Sequence, residues 1–189
     1  YYAQLHYNTY NKGYFPSKGT DLQGNYSLYT DNLTQYKGHA PFSALTASWA
    51  SVFSVTDRFA LIPSLYGRIL IGKDIPYPYL NAIGGDNFGH YLPQQLPFAG
   101  ITNLEIVDNS VIIAGLKVRQ RIGGKNYVTL TGNVALREDN FFDILSGKPV
   151  WGGSLGYAYN SIAGPLSATF GMSNRNSHLQ FYMNLGFMF

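Results

Sequence analysis

The sequence predicts an all-β fold, an antiparallel transmembrane β-barrel, and three observations carry that expectation. Apolar and polar residues alternate with period two from one end of the chain to the other. The interruptions are clusters of Gly, Pro, Asn and Asp, the residues that build turns. Only 12% of the 189 residues are charged while 46% are hydrophobic and 16% aromatic, against roughly 25% charged residues in an ordinary soluble domain. A surface so short of charge faces something other than water. Spanning by helices is excluded, because the best apolar stretch, 59–71, is broken by Pro63, Ser64 and Arg68, and a helix needs about 18 or more apolar residues. Sixteen tyrosines and twelve phenylalanines also exceed what a solvated, disordered chain carries.

Nine strands are expected. The first four fall at about 2–11, 20–30, 42–56 and 58–72, and Leu45, Ala47, Trp49, Phe53 and Val55 give the apolar parity of the third. The fifth, near 111–122, places Ile112, Ala114, Leu116 and Val118 on one face and Lys117, Arg119 and Arg121 together on the other. A face that accepts those cations is wet. Val128, Leu130, Val134 and Leu136 mark the sixth strand, Trp151, Leu155, Tyr157 and Tyr159 the seventh, and Leu166, Ala168, Phe170 and Met172 the eighth. The last runs over 179–189, with Leu179, Phe181, Met183, Leu185, Phe187 and Phe189 on one parity. At about 3.3 Å per residue and a tilt near 40°, roughly ten residues cover the ~25 Å apolar band of an outer-membrane barrel.

The connections alternate in length. Those at 56–58, 123–126 and 160–165 are tight, whereas 31–41, 73–109 and 138–149 are long, which is the rim asymmetry of such barrels. The 12–19 connection is long for its rim and 174–177 is short for the other. A soluble sandwich or lipocalin-like barrel would also alternate, with its apolar parity inward and Lys and Glu on the solvated parity. Here the polar parity is mostly Gly, Ser, Thr, Asn, Gln and Tyr, which favours the membrane barrel. The net charge of +3, from 13 Lys+Arg against 10 Asp+Glu, is too balanced for a nucleic-acid partner. Without cysteine there is neither a disulfide framework nor a thiolate metal site. The opening Tyr1-Tyr2-Ala3-Gln4-Leu5 reads as mid-strand and leads us to expect an upstream part.

Two segments carry a family resemblance. The terminal strand, with Phe181, Leu185, Phe187 and Phe189, is similar to the signal by which bacterial outer-membrane proteins are recognised by their insertion machinery. An apolar edge strand with unpaired backbone suits β-augmentation. The segment 81–100, with Gly84, Gly85, Asp86, Gly89, His90, Tyr91, Gln95, Pro97, Phe98 and Gly100, resembles the long barrel loop of the outer-membrane insertase and surface-antigen superfamily. The version it is most similar to is the one fused to patatin-like phospholipases in Bacteroidetes-type bacteria. Family members often carry Arg where this chain has His90. The resemblance implies a sixteen-stranded barrel whose long loop lies between the eleventh and twelfth strands, and the 73–109 loop has five expected strands after it. Residues 1–189 would then be one outer-membrane β-barrel domain or its C-terminal portion. Since single-chain barrels use even strand numbers, either upstream strands are missing, or eight strands close alone, or two chains complete one another as a homo-oligomer. The implied partners are outer-membrane lipids and the insertion machinery, and the implied location is the bacterial outer membrane.

Chemistry is not expected in this chain. Gly152-Gly153-Ser154-Leu155-Gly156 matches G-x-S-x-G, but a nucleophile elbow needs a strand, a sharp turn and a helix, and Ser154 lies within an alternating strand. No Asp-Gly-Gly or Asp-Gly-Ala occurs. His6, His39, His90 and His178 have no metal-ligand spacing, and no cofactor is expected. Arg68, Lys117, Arg119, Arg121 and Arg137 all share the polar parity and are expected to form a basic lumen wall that grips Asp86 or Glu105 of the long loop, or draws anions. On the lipid face a cation would cost about 2–4 kcal/mol at midplane. The expected function is therefore an anchoring or translocating barrel module of a surface-antigen or patatin-like protein, with the phospholipase domain upstream. The alternative is a self-contained small barrel acting as a pore, adhesin or lipid-modifying enzyme.

Overall fold

The computed structural model describes residues 1–30, 40–85, 94–139, 141–162, 164–175 and 178–185. Its strands are β1 (Tyr2–Asn8), β2 (Gly19–Tyr29), β3 (Phe42–Ser54), β4 (Phe59–Ile71), β5 (Asn81–Ile83), β6 (Gln95–Leu96), β7 (Ile106–Asp108), β8 (Ser110–Gly123), β9 (Asn126–Glu138), β10 (Val150–Ser161), β11 (Gly164–Ser173) and β12 (Gln180–Leu185). Nine of them form one sheet in the order β1-β2-β3-β4-β8-β9-β10-β11-β12, every neighbour antiparallel. This is the expected meander. The long connection between β4 and β8, expected as a lumen- or surface-directed loop over 73–109, contains a 3₁₀ turn at Tyr77–Tyr79 and a small sheet of its own, ordered β6-β5-β7. Among the described residues β1 and β12 are not paired with each other. No helix in them is long and apolar enough to cross a membrane.

Register aligns the alternation across strands. Phe53, Leu61, Val118, Leu130, Leu155, Phe170 and Phe181 are successive cross-strand partners over β3, β4, β8, β9, β10, β11 and β12. A parallel row joins Leu22, Trp49, Leu65, Ala114, Val134 and Trp151. These side chains are exposed: Leu130 by 58%, Leu155 by 55% and Phe170 by 47%. The apolar parity points outward, so the fold is that of a membrane barrel, whose outer face meets hydrocarbon, and not of a soluble one, which would bury this parity. Cross-strand aromatic pairs such as Phe170 and Phe181, with ring centroids 4.7 Å apart, hold the register from outside.

The buried core lies on the opposite, concave side. Ile83, Leu96, Phe98, Ile101 and Ile106 from the long connection pack with Val111, Ile113, Ala135 and Val150 of the wall. The chain has folded its longest connection into its own lumen.

Candidate functional site: the plugged lumen

The inner wall is built in layers, one residue from each strand. Arg68, Val111 and Arg137 are cross-strand partners near the long-loop rim; Tyr66, Ile113, Ala135 and Val150 form the next layer. Ser64, Gly115, Asn133 and Gly152 follow, then Ile62, Lys117, Thr131, Ser154 and Gly171. Ala60, Arg119, Thr129, Gly156, Thr169 and Tyr182 come next, and Arg121, Tyr127, Ala158, Ser167 and Asn184 lie nearest the short-turn rim. The five cations of the expected basic wall therefore separate by depth. Arg68 and Arg137 share the outermost layer, Lys117 and Arg119 lie deeper, and Arg121 sits at the short-turn end of β8, where its N–H donates to the Arg58 carbonyl at 2.7 Å.

Arg68 is buried and holds the start of the loop. Its guanidinium donates to the Tyr79 carbonyl at 3.1 Å and to Asn81 Oδ1 at 2.9 Å. Asn81, fully buried, returns its Nδ2 to the Asn109 carbonyl at 3.0 Å, so one side chain ties the entry of the loop to its exit. Tyr79 also packs against Tyr29 and Phe42, at centroid distances of 4.8 and 5.2 Å. Arg137 pairs with Asp108 at 2.6 Å. Neither cation reaches Glu105, which corrects the expected pairing. Glu105 instead accepts from Arg175 Nε at 3.1 Å and from the Thr102 amide at 3.1 Å and its hydroxyl. Partial burial raises the Glu105 pKa, but the Thr102 and Arg175 contacts outweigh it, and the carboxyl is held below its ordinary value. Asp86, the other expected partner, lies outside the described residues.

The tip of the loop is seated on glycine. A Cβ added at Gly152 would lie 2.0 Å from the Ala99 carbonyl oxygen and 3.1 Å from the Phe98 ring, and one at Gly171 would lie 2.8 Å from the Gly100 nitrogen. Gly100 adopts φ +76, and a Cβ there would stand 2.1 Å from the Met172 carbonyl carbon. Backbone meets backbone, which only missing side chains permit. The G-x-S-x-G pattern thus lies inside β10, where Gly152 gives room to the loop; no helix follows. Tyr182 of β12 closes the seat by donating its hydroxyl to the Ile101 carbonyl at 2.9 Å.

Of the loop motif, Gly84 and Gly85 donate their N–H groups to the Leu96 and Ile101 carbonyls, both at 2.9 Å, and Phe98 donates to the Gly85 carbonyl at 3.0 Å. Gln95, buried, donates Nε2 to the Gly84 carbonyl at 3.0 Å, and Pro97 lines the lumen. Gly89, His90 and Tyr91 lie outside the described residues, as do Phe187 and Phe189 of the terminal signal; Phe181 and Leu185 point outward and are exposed. Sequence reasoning missed Asn81, Asp108, Arg175, Tyr182 and the glycine seat. The inward-parity run of Gly152, Gly156 and Gly171 was the available signal.

A second inward plug was also unforeseen. β1 ends at Asn8, short of the expected 11, and residues 9–18 turn into the lumen from the short-turn rim. Asn11 Oδ1 accepts the Ser17 and Lys18 amides at 2.9 and 3.3 Å. The loop closed by this side chain presents Phe15, which stacks on Tyr127 at 4.2 Å with planes 3° apart. Arg119 donates to the Pro16 carbonyl and lies over the Phe15 and Tyr127 rings, 5.7 and 5.9 Å from their centroids. Between the two plugs remains a cavity of about 550 Å³.

A family model described as the OMP85 superfamily matches residues 1–189. No curated protein gives a match.

Proposed function

Since the chain belongs to the OMP85 superfamily, whose barrels reside in the bacterial outer membrane, we propose that this outer-membrane barrel module anchors or translocates a passenger, within a surface-antigen or patatin-like protein. On this reading the phospholipase chemistry belongs to an upstream domain and this chain contributes none. The observation that carries the reading is the docked connection: Phe98, Ile101 and Ile106 are buried against the inner wall, so the lumen is occupied where an open pore would be clear. Passage through such a barrel requires the loop to move or the wall to part, which suits gated transfer or anchoring. Among the described residues the outer edges of β1 and β12 carry no partner strand, which supports completion by further strands, up to the sixteen of the family barrel, from preceding sequence or from a second copy.

The test is sidedness. The chain has no cysteine, so Lys148→Cys in the β9–β10 connection and Lys125→Cys in the β8–β9 turn each offer one thiol to a membrane-impermeant maleimide. Labelling of Lys148→Cys on intact cells, and of Lys125→Cys only after permeabilisation, is the expected result, together with heat-modifiable migration of the outer-membrane fraction. A chain recovered without detergent, or labelled equally at both positions on intact cells, refutes the reading. Fusion of the chain to an unrelated periplasmic passenger tests the anchoring role, with retention of that passenger in the outer-membrane fraction as the expected outcome.

A further inference from the structure

The connections of the short-turn rim are 9–18, 55–58, 124–125 and 162–163. Over every residue of them the sequence places Lys12, Lys18, Arg58 and Lys125 against one carboxylate, Asp57. The long-loop connections reverse the balance, with seven carboxylates to four cations over 30–41, 72–109, 139–149 and 174–179. All four short-rim cations are exposed, and among the described residues none of them is in an ion pair. Asp21, early in β2, is taken up by His6 and Gln23. Apolar side chains continue on the outward parity as far as these turns. Val55 follows Phe53 past the end of β3, Ile122 closes the outward parity of β8, and Ile162 at the tip of the β10–β11 turn is 96% exposed. Gln120 is the polar exception on β8, and its amide turns to the Arg121 carbonyl at 3.1 Å. The apolar band therefore runs into the turns, which places their cations at the level of lipid headgroups; Lys and Arg lay their stems along such a surface and hold the charge in the polar layer. The β3–β4 and β8–β9 turns are neighbours, tied by the Arg121 amide donating to the Arg58 carbonyl. Successive turns on this rim stand two strands, about 10 Å, apart, so the charge forms an arc along the boundary. An acidic polypeptide in solution would satisfy the cations and leave Val55, Ile122 and Ile162 in water, whereas a bilayer with anionic headgroups satisfies both.

We propose that the short-turn rim binds the anionic headgroups of the surrounding bilayer, with Arg58 and Lys125 at the centre of the contact. The inference rests on the barrel reading above only in taking the outward parity as lipid-facing. The intact protein is reconstituted into phosphatidylcholine vesicles with a trace of spin-labelled phosphatidylglycerol or spin-labelled phosphatidylcholine. The motionally restricted fraction of each probe gives their relative association with the barrel. Phosphatidylglycerol is expected to be enriched about fivefold at low salt, the factor for one cation near an anionic surface. The enrichment is expected to vanish at about 1 M salt, where charges are screened within ~3 Å. Arg58→Gln combined with Lys125→Gln removes most of it, and Lys73→Gln combined with Lys148→Gln, on the long-loop rim, leaves it in place. Equal association of the two probes, enrichment that survives high salt, or enrichment kept in the Arg58 and Lys125 variant overturns the proposal. Equal loss in the Lys73 and Lys148 variant overturns it as well. Fluorescent polyglutamate that binds the vesicles through Arg58 and Lys125 while the lipid probes stay equal overturns it in favour of an acidic polypeptide. Heat-modifiable migration separates the two failures: its retention with equal probes counts against the rim contact alone, and its loss in the unsubstituted protein counts against the barrel and the contact together.

Discussion

Gly152→Ala places a methyl group where the long connection rests. The new carbon would stand 2.0 Å from the Ala99 oxygen, whereas ordinary contact begins at 3.4 Å, so the tip must retreat by more than an ångström. Such overpacking costs about 1–3 kcal/mol. Complete eviction would expose Phe98 and Ile101, 1% and 0% exposed, and each is worth about 1.5–3 kcal/mol of burial. Retreat is the cheaper response, so the loop stays inside but opens about five- to a hundred-and-fortyfold more often. Hydrogen–deuterium exchange reads this opening directly at the Gly85 and Phe98 amides, whose acceptors are the Ile101 and Gly85 carbonyls, while amides in the β8–β9 ladder keep their rates. Gly132→Ala on the neighbouring strand is the control, since its Cβ meets nothing within 4 Å. Equal exchange at Gly85 and Phe98 in the two variants would refute the seat.

Leu155→Arg, on the outward row between Leu130 and Phe170, is expected to lower refolding stability in lipid vesicles by about 2–4 kcal/mol; a urea titration that shows no loss removes the lipid-facing assignment. Arg68→Leu removes the guanidinium donor from the buried Asn81 Oδ1 and from the half-buried Tyr79 carbonyl, at about 1–3 kcal/mol for the buried acceptor, and protease cleavage near Tyr77 and Tyr79 is expected to accelerate. Because the folded pKa of Glu105 is depressed, its contribution is full above the unfolded carboxylate pKa and is lost as pH falls through the folded value. Exchange at the Thr102 amide is therefore expected to gain in acid, relative to the intrinsic rate, and Glu105→Gln removes that acid dependence. An identical pH profile in the two proteins would sink it.

The outer surface was legible in the sequence and the inner one was not, for a physical reason. Leu130, Leu155 and Phe170 meet a uniform solvent, so their parity alone states what they face. The lumen is read by specific partners at long sequence separation: Arg119 meets Pro16, Arg175 meets Glu105, and Tyr182 meets Ile101. Parity placed Arg68 and Arg137 on the wet wall without naming Asn81 or Asp108 as what they hold. The small sheet β5–β7 escaped because strands of two or three residues leave no period to detect. The seat at Gly152 escaped because it is made of absent atoms, and a glycine on a polar parity reads as merely small.

The long connection also constrains the order of assembly. β4 and β8 are sheet neighbours separated by residues 72–109, and bringing the ends of so long a flexible segment together costs about 3 kcal/mol in chain entropy. The antiparallel turns elsewhere in the sheet cost less, so the hairpins on either side can form first and the β4–β8 seam last. Burial of Ile83, Ile101 and Ile106 against Val111 and Ile113 recovers that entropy only when the segment is already on the concave side. In that order the segment lies on the concave side before the seam closes, and the wall does not have to admit it afterwards.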